Sequence, residues 1–142
     1  MTQIINQLLG IESLLSQRLG SAGVTITALP VVEADAVPVM RISIEGQDEL
    51  PVFVTASPTQ ILCICYLWTE AEVRPTRHVE MLEAMMDLNI AIPLSNFGRI
   101  GEHYVIYGAL AADSRLEDIV TEVVMLADNA VEALDVFTQY LI

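Results

Sequence analysis

The hydrophobic periods along the chain predict an α+β fold: an antiparallel sheet with packed helices, in the order helix, three or four strands, helix, two strands, helix. Two observations carry this. Apolar residues recur at helical spacing in three separated segments, and the stretches between them are short β-branched runs divided by turn residues. A third sets the scale: no repeat, low-complexity tract or Gly/Ser/Pro-rich linker interrupts the 142 residues. One domain spanning residues 1–142 is therefore expected.

The first helix is expected from Thr2 as N-cap, through Ile4, Ile5, Leu8, Ile11, Leu15 and Leu19, to a stop at Gly20. Strand composition then takes over in Val24–Leu29 and, after the loop Pro30–Ala36, in Val37–Glu45. Gly46-Gln47-Asp48 reads as a hairpin turn, Leu50–Thr55 as a strand, Ala56–Thr59 as a turn and Ile61–Trp68 as the next strand. After the polar stretch Thr69–Pro75, Thr76 is placed to cap a second helix over Arg77–Ile90, which Pro93 stops. A short strand within Ser95–Gly101 and a longer one over Tyr104–Leu110 form a second hairpin. Ser114 with Glu117 three residues on spells a capping box for the last helix, Arg115–Tyr140, whose apolar stripe includes Leu116, Ile119, Val120, Val123, Ala127, Ala130, Val131, Leu134 and Phe137.

Composition narrows the function. Nineteen Asp and Glu face six basic residues, all Arg, for a net charge of −13, yet 54% of residues are hydrophobic. Such a chain is repelled by nucleic-acid phosphates and anionic lipid heads, which excludes both as partners. Charged residues are 18% of the chain, against about 25% in an ordinary soluble domain. Polar surface is thus scarce, and some apolar surface is expected to be hidden in a partner. The longest apolar run, Ile61–Trp68, is far shorter than the roughly 20 residues of a membrane-spanning helix, so no membrane insertion is expected. The first residues show no basic n-region or small-residue cleavage pattern, which points to the cytoplasm.

No motif specifies a reaction. Cys63, Cys65, His78 and His103 offer four soft ligands, but Cys-x-Cys in a strand lacks the turn that places two thiolates on one metal, and both histidines stand alone. Neither a metal site nor a catalytic thiol is expected, because hydrocarbon flanks both cysteines. Glu80, Glu83 and Asp87 share a helix face and read as a solvated stripe. Gly98-Arg99-Ile100-Gly101 echoes a nucleic-acid-clamping GXXG loop, but in this acidic chain it reads as a turn. Arg99 is expected to form a salt bridge to the acid-rich last helix. Asp113–Ile142 holds seven acids and one Arg, a negative wall that confers solubility and can steer a basic partner.

The strand Ile61–Trp68 is the most informative. Strict alternation puts Ile61, Cys63, Cys65 and Leu67 on one face and Leu62, Ile64, Tyr66 and Trp68 on the other, so both faces are apolar. One meets the helices; the second must be covered by another element, a second subunit or a bound peptide. Leu62, Ile64, Tyr66 and Trp68 are accordingly the candidate partner-binding residues. The methionine-rich second helix supplies Met81, Met85 and Met86 as the candidate homodimer interface.

The run from Asn96-Phe97-Gly98 through Tyr104–Leu110 to Leu126–Ala130, with the element order, size and acidity, resembles the YjfI-like bacterial proteins of unknown function over most of the chain. More distantly, the layout is similar to the fold of type III secretion chaperones and YbjN-like proteins. That resemblance implies small, acidic, usually dimeric proteins that hold other polypeptides rather than transform substrates. The YjfI-like resemblance also implies a tie to membrane-stress systems, since such genes sit near phage-shock-type genes. The expected function is a non-enzymatic protein-binding or chaperone-like module with no cofactor. The alternative is a small-molecule sensor or cryptic enzyme with a pocket between helix and sheet, anchored by Tyr104, Tyr107, His103 or Arg99.

Overall fold

A computed structural model describes residues 10, 26–31, 39–44, 47 and 49–142. Six strands, β1 (Ile26–Val31), β2 (Val39–Ile44), β3 (Val52–Ala56), β4 (Gln60–Thr69), β5 (Asn96–Ile100) and β6 (His103–Ala111), form one antiparallel sheet. Their spatial order is β1-β2-β3-β4-β6-β5. Between β4 and β5 lies helix α1 (His78–Ala91), and after β6 comes helix α2 (Leu116–Phe137). This is the α+β class the periodicities predict. The first helix lies outside the described residues except for Gly10, which is helical and close enough to α2 that a Cβ there would stand 2.8 Å from Leu116 Cδ1.

Local chemistry explains the turns. Ser57 Oγ accepts from the amides of Thr59 and Gln60 at 3.3 and 3.2 Å, which shapes the β3–β4 connection. Gly101, at φ +60°, takes the first central position of the two-residue β5–β6 turn, a backbone conformation that glycine adopts without steric cost. Pro30 sits in β1, an edge strand, where a missing N–H disrupts no second ladder. Of the Gly46–Asp48 turn only Gln47 is described; its carbonyl accepts from Leu50 N at 3.0 Å.

Helix α2 lies across β3, β4 and β6. Ile119, Val123, Leu126, Ala130 and Phe137 recur at helical spacing and are buried against Met40, Ile42, Val54, Ile61, Cys63 and Ile106 from the sheet. Val131, expected on that stripe, is 41% exposed. Thr2 lies outside the described residues, and neither Thr76 nor Ser114 forms its expected cap. The N-cap of α2 is Arg115 without a side-chain cap bond, because Ser114 is drawn into the turn after β6, its N–H donating to Ala111 O at 3.0 Å. The N-cap of α1 is Arg77, since Thr76 is inside the 3-10 turn Pro75–Arg77 that leads into the helix. A reciprocal capping box is instead made by Thr69 and Glu72 around the 3-10 turn Glu70–Glu72.

Among the described residues no helix is long and apolar enough to cross a membrane.

Candidate partner-binding face

Strand β4 is central, with β3 on one side and β6 on the other, so its side chains meet helix α2 on one face and no described element on the other. Ile61, Cys63 and Cys65 fill the helix-covered side and are buried. Leu62, Ile64 and Tyr66 point the opposite way, joined in register by Phe53 and Thr55 of β3 and by Val105 and Tyr107 of β6. Phe53 and Tyr66 meet edge to face at 5.8 Å, and Tyr66 meets His103 likewise at 5.5 Å. Gly98 of β5 makes room for Tyr107, since a Cβ there would come within 2.9 Å of its ring. Leu62, Ile64, Val105, Tyr107, Gly98 and Ile100, with Arg99 at the edge, line a shallow depression of about 310 Å³ on this open side.

Trp68 does not belong to this face. The ladder between β4 and β6 shifts register between Tyr66 and Trp68, and the bulge inserts one residue that flips every later side chain. Tyr66 is 39% exposed while Trp68 is 3% exposed, stacked on Phe137 at 5.3 Å and tilted against Tyr104 at 6.1 Å. Its Nε1 is buried without a hydrogen-bond acceptor among the described residues. The methionines divide in the same manner. Of the three expected at a homodimer interface, Met81 and Met85 are buried within the chain, whereas Met86 is 69% exposed. Helix α1 is in fact apolar on two sides: Met81, Met85 and Leu88 pack inward, and Val79, Leu82, Met86 and Ile90 form an outer stripe.

The charges are segregated. Strands β1 to β6 contain no Asp or Glu, while α1 carries Glu80, Glu83 and Asp87 and α2 carries six more acids with no Lys or Arg in either helix. Arg99 pairs with Glu70 at 3.3 Å, not with the last helix, because its side of β5 faces the 3-10 turn after β4. Glu70 also accepts from Tyr104 Oη and lies 2.5 Å from His78 Nε2. The Tyr104 hydrogen bond, and then the His78 and Arg99 charges, hold the Glu70 carboxyl below the usual range. Burial first, and then the Glu70 contact, push the Tyr104 hydroxyl up to about 12. This cluster ties the start of α1 to β5 and β6. Its members are scattered from residue 70 to 104, and no spacing in the sequence announces them.

The soft ligands are not brought together. Cys63 and Cys65 face the helix layer and His103 the open side, and among the described residues no group of three or more His, Cys, Asp or Glu is arranged to hold a metal. Burial, with the Glu122 charge adding for Cys63, pushes both thiols up to about 12, so they stay protonated and unreactive at neutral pH. Glu122 is the polar surprise: it is 5% exposed, on the side of α2 that faces Gly108, and burial raises its carboxyl above the ordinary range. Tyr104 and Arg99 line a second cleft of about 340 Å³ between α1 and β5, together with Leu82, Met85 and Phe97; Tyr107 and His103 stand on the other side of the sheet.

Comparison with known proteins agrees with this architecture. The profile of a family described as an uncharacterized protein conserved in bacteria, DUF2170, matches residues 9–141. The uncharacterized protein YjfI of Escherichia coli K12 is 38% identical over 53 residues, 34% of this chain, and the match spans 40% of that protein's length. Among solved structures, the ExsC–ExsE complex superposes with a TM-score of 0.58 at 14% identity, covering 90% of this chain and 93% of that one. YbjN from E. coli gives 0.57 at 15% identity over 92% and 93%. The Yersinia pestis type III secretion chaperone SycH, in complex with a fragment of YscM2, gives 0.53 at 14% identity over 89% and 98%. At these identities the likeness is one of fold.

Proposed function

The chain belongs to the DUF2170 family of bacterial proteins, and we propose that it is a cytoplasmic, single-domain, chaperone-like protein that holds a segment of another polypeptide and catalyses nothing. The observation that carries this is the open side of the sheet. Phe53, Leu62, Ile64, Tyr66 and Tyr107 form a contiguous apolar surface that no described element covers. Contiguous apolar patches of this kind mark interaction sites, and clustered aromatics dominate binding energy when buried. The solved neighbours support the reading, since ExsC is seen with ExsE and SycH with a YscM2 fragment.

Dimerisation completes the proposal. The outer stripe of α1, Val79, Leu82, Met86 and Ile90, has the spacing of a helix-pairing seam and stays exposed. Met86→Glu should then split a dimer seen by sedimentation equilibrium without lowering the melting temperature. A service to a membrane-stress system is the narrower form of the reading. The cleft between α1 and β5 favours a second reading, because its 340 Å³ lies within the range of small-molecule sites.

Affinity purification from a native host, with wild-type protein and Ile64→Asp and Tyr66→Ala variants, tests the proposal. One polypeptide retained by the wild type and lost from both folded variants is the expected result. A polypeptide retained equally by all three, or a small molecule alone, overturns it.

A further inference from the structure

We infer that the segment held on the open sheet face is extended, runs across the strands and carries an acidic side chain that pairs with Arg41; this rests on the polypeptide-binding reading above. The described residues include five Arg, and four are committed within the fold. Arg74 Nε donates to Leu141 O at 2.7 Å, and Arg77 pairs with Glu80 at 2.8 Å and lies over the Tyr140 ring. Arg99 pairs with Glu70 and Arg115 with Asp118, both at 3.3 Å. The Arg41 side chain alone of these five has neither an ion pair nor a hydrogen bond to another described residue, and it is exposed. Its strand neighbours Met40 and Ile42 are fully buried under the helix layer, so Arg41 stands on the open side. In a chain of net charge −13, the one Arg left uncommitted among the described residues thus stands on the sheet, whose strands contain no acid.

Register fixes the geometry of the occupant. Arg41 is opposite Phe53, Phe53 opposite Ile64, Ile64 opposite Tyr107 and Tyr107 opposite Asn96, a single row across five strands. Four inter-strand steps of about 4.8 Å make this row about 19 Å long, the reach of about six residues at about 3.3 Å each. Arg41 is two steps, about 10 Å, from Ile64, so the acid belongs about three residues from the apolar side chain seated on β4. An acid there gains a charge-assisted contact, a neutral residue leaves the guanidinium in water, and a Lys confronts it. A second copy of this chain stacked face to face fits less well, because its strands offer Arg41 no carboxylate.

The test uses the full chain and three labelled nine-residue peptides of alternating Ile, Phe and Thr that carry Asp, Asn or Lys near one end, with binding followed by fluorescence anisotropy. The Asp peptide should bind roughly tenfold tighter than the Lys peptide, with Asn between. Arg41→Gln should bring the three within about twofold while leaving the Asn peptide's affinity unchanged. Equal binding of all three to the wild type, lost in Ile64→Asp, overturns the acidic inference and leaves the face as a polypeptide site. Failure of every peptide to bind overturns both, and a dimer split by Ile64→Asp would then name a second copy as the occupant.

Discussion

Gly108 is the position where one added methyl reports most directly on how α2 sits on the sheet. A Cβ there would stand 1.7 Å from Glu122 Oε1, 2.7 Å from its Cδ and 3.1 Å from the Leu94 carbonyl oxygen. The first two contacts are impossible, so the Glu122 carboxyl must leave its place. The third is tight against backbone that cannot yield freely, since Asn129 Nδ2 holds both Pro93 O and Ser95 Oγ at 2.9 Å. Overpacking of this sort costs about 1–3 kcal/mol. It is partly offset by the roughly 0.5–1 kcal/mol that Ala gains over Gly in a strand. Gly108→Ala should therefore lose about 1–2 kcal/mol in the wild type. In a Glu122→Ala background only the Leu94 contact remains, and the same change should be close to neutral. Urea unfolding of the four proteins at pH 7 gives the coupling, which should be about 1–2 kcal/mol. Equal costs of Gly108→Ala in the two backgrounds would refute the placement of Glu122 over Gly108.

The two perturbed carboxyls predict opposite pH behaviour. Burial raises Glu122, so between the ordinary 4.5 and its higher folded value the native state holds the extra proton, and stability falls as pH rises through that window; Glu122→Gln should abolish the fall in a series of urea midpoints. Glu70 is lowered by Tyr104, His78 and Arg99, so its stabilisation is complete above 4.5 and is lost as pH drops through its folded value; Glu70→Gln should flatten the acid limb. Val123→Asp and Ala130→Asp each bury an unpaired charge at fully buried positions and should cost more than about 3 kcal/mol, and a wild-type melting temperature would move the core to another face of α2. Cys63 and Cys65 should resist a disulfide thiol reagent at pH 8 until urea unfolds the chain, whereas rapid labelling of the native protein would contradict their burial.

Period and turn chemistry made most of the fold legible. The strand runs, the Pro93 stop and the apolar stripe of the last helix are local signals, and they map onto β1 to β6, α1 and α2 within two or three residues. What escaped is what one extra residue or a distant contact decides. Nothing in Cys65-Tyr66-Leu67-Trp68 marks the bulge, so alternation carried Trp68 to the wrong face. The pattern of α1 showed an apolar helix but not which methionines its inner side would take, because its outer side is apolar as well. Arg99 could be expected to find an acid, yet the choice of Glu70 over the last helix depends on which side of β5 faces the 3-10 turn. Nothing in its own segment marks Glu122 as buried among the acids of the last helix, because the room for its carboxyl comes from Gly108, on a strand 14 positions earlier.

The central claim, that the open sheet face receives a polypeptide, is tested most directly by site-specific photocrosslinking in a native host. A photoreactive residue would replace Ile64 on the open face, or Val136 on the exposed side of the helix layer, and adducts would be identified by mass spectrometry. A discrete adduct with one polypeptide is expected from the Ile64 position and none from Val136. Adducts from Val136 alone, or no polypeptide adduct from Ile64 in a folded protein, would contradict it.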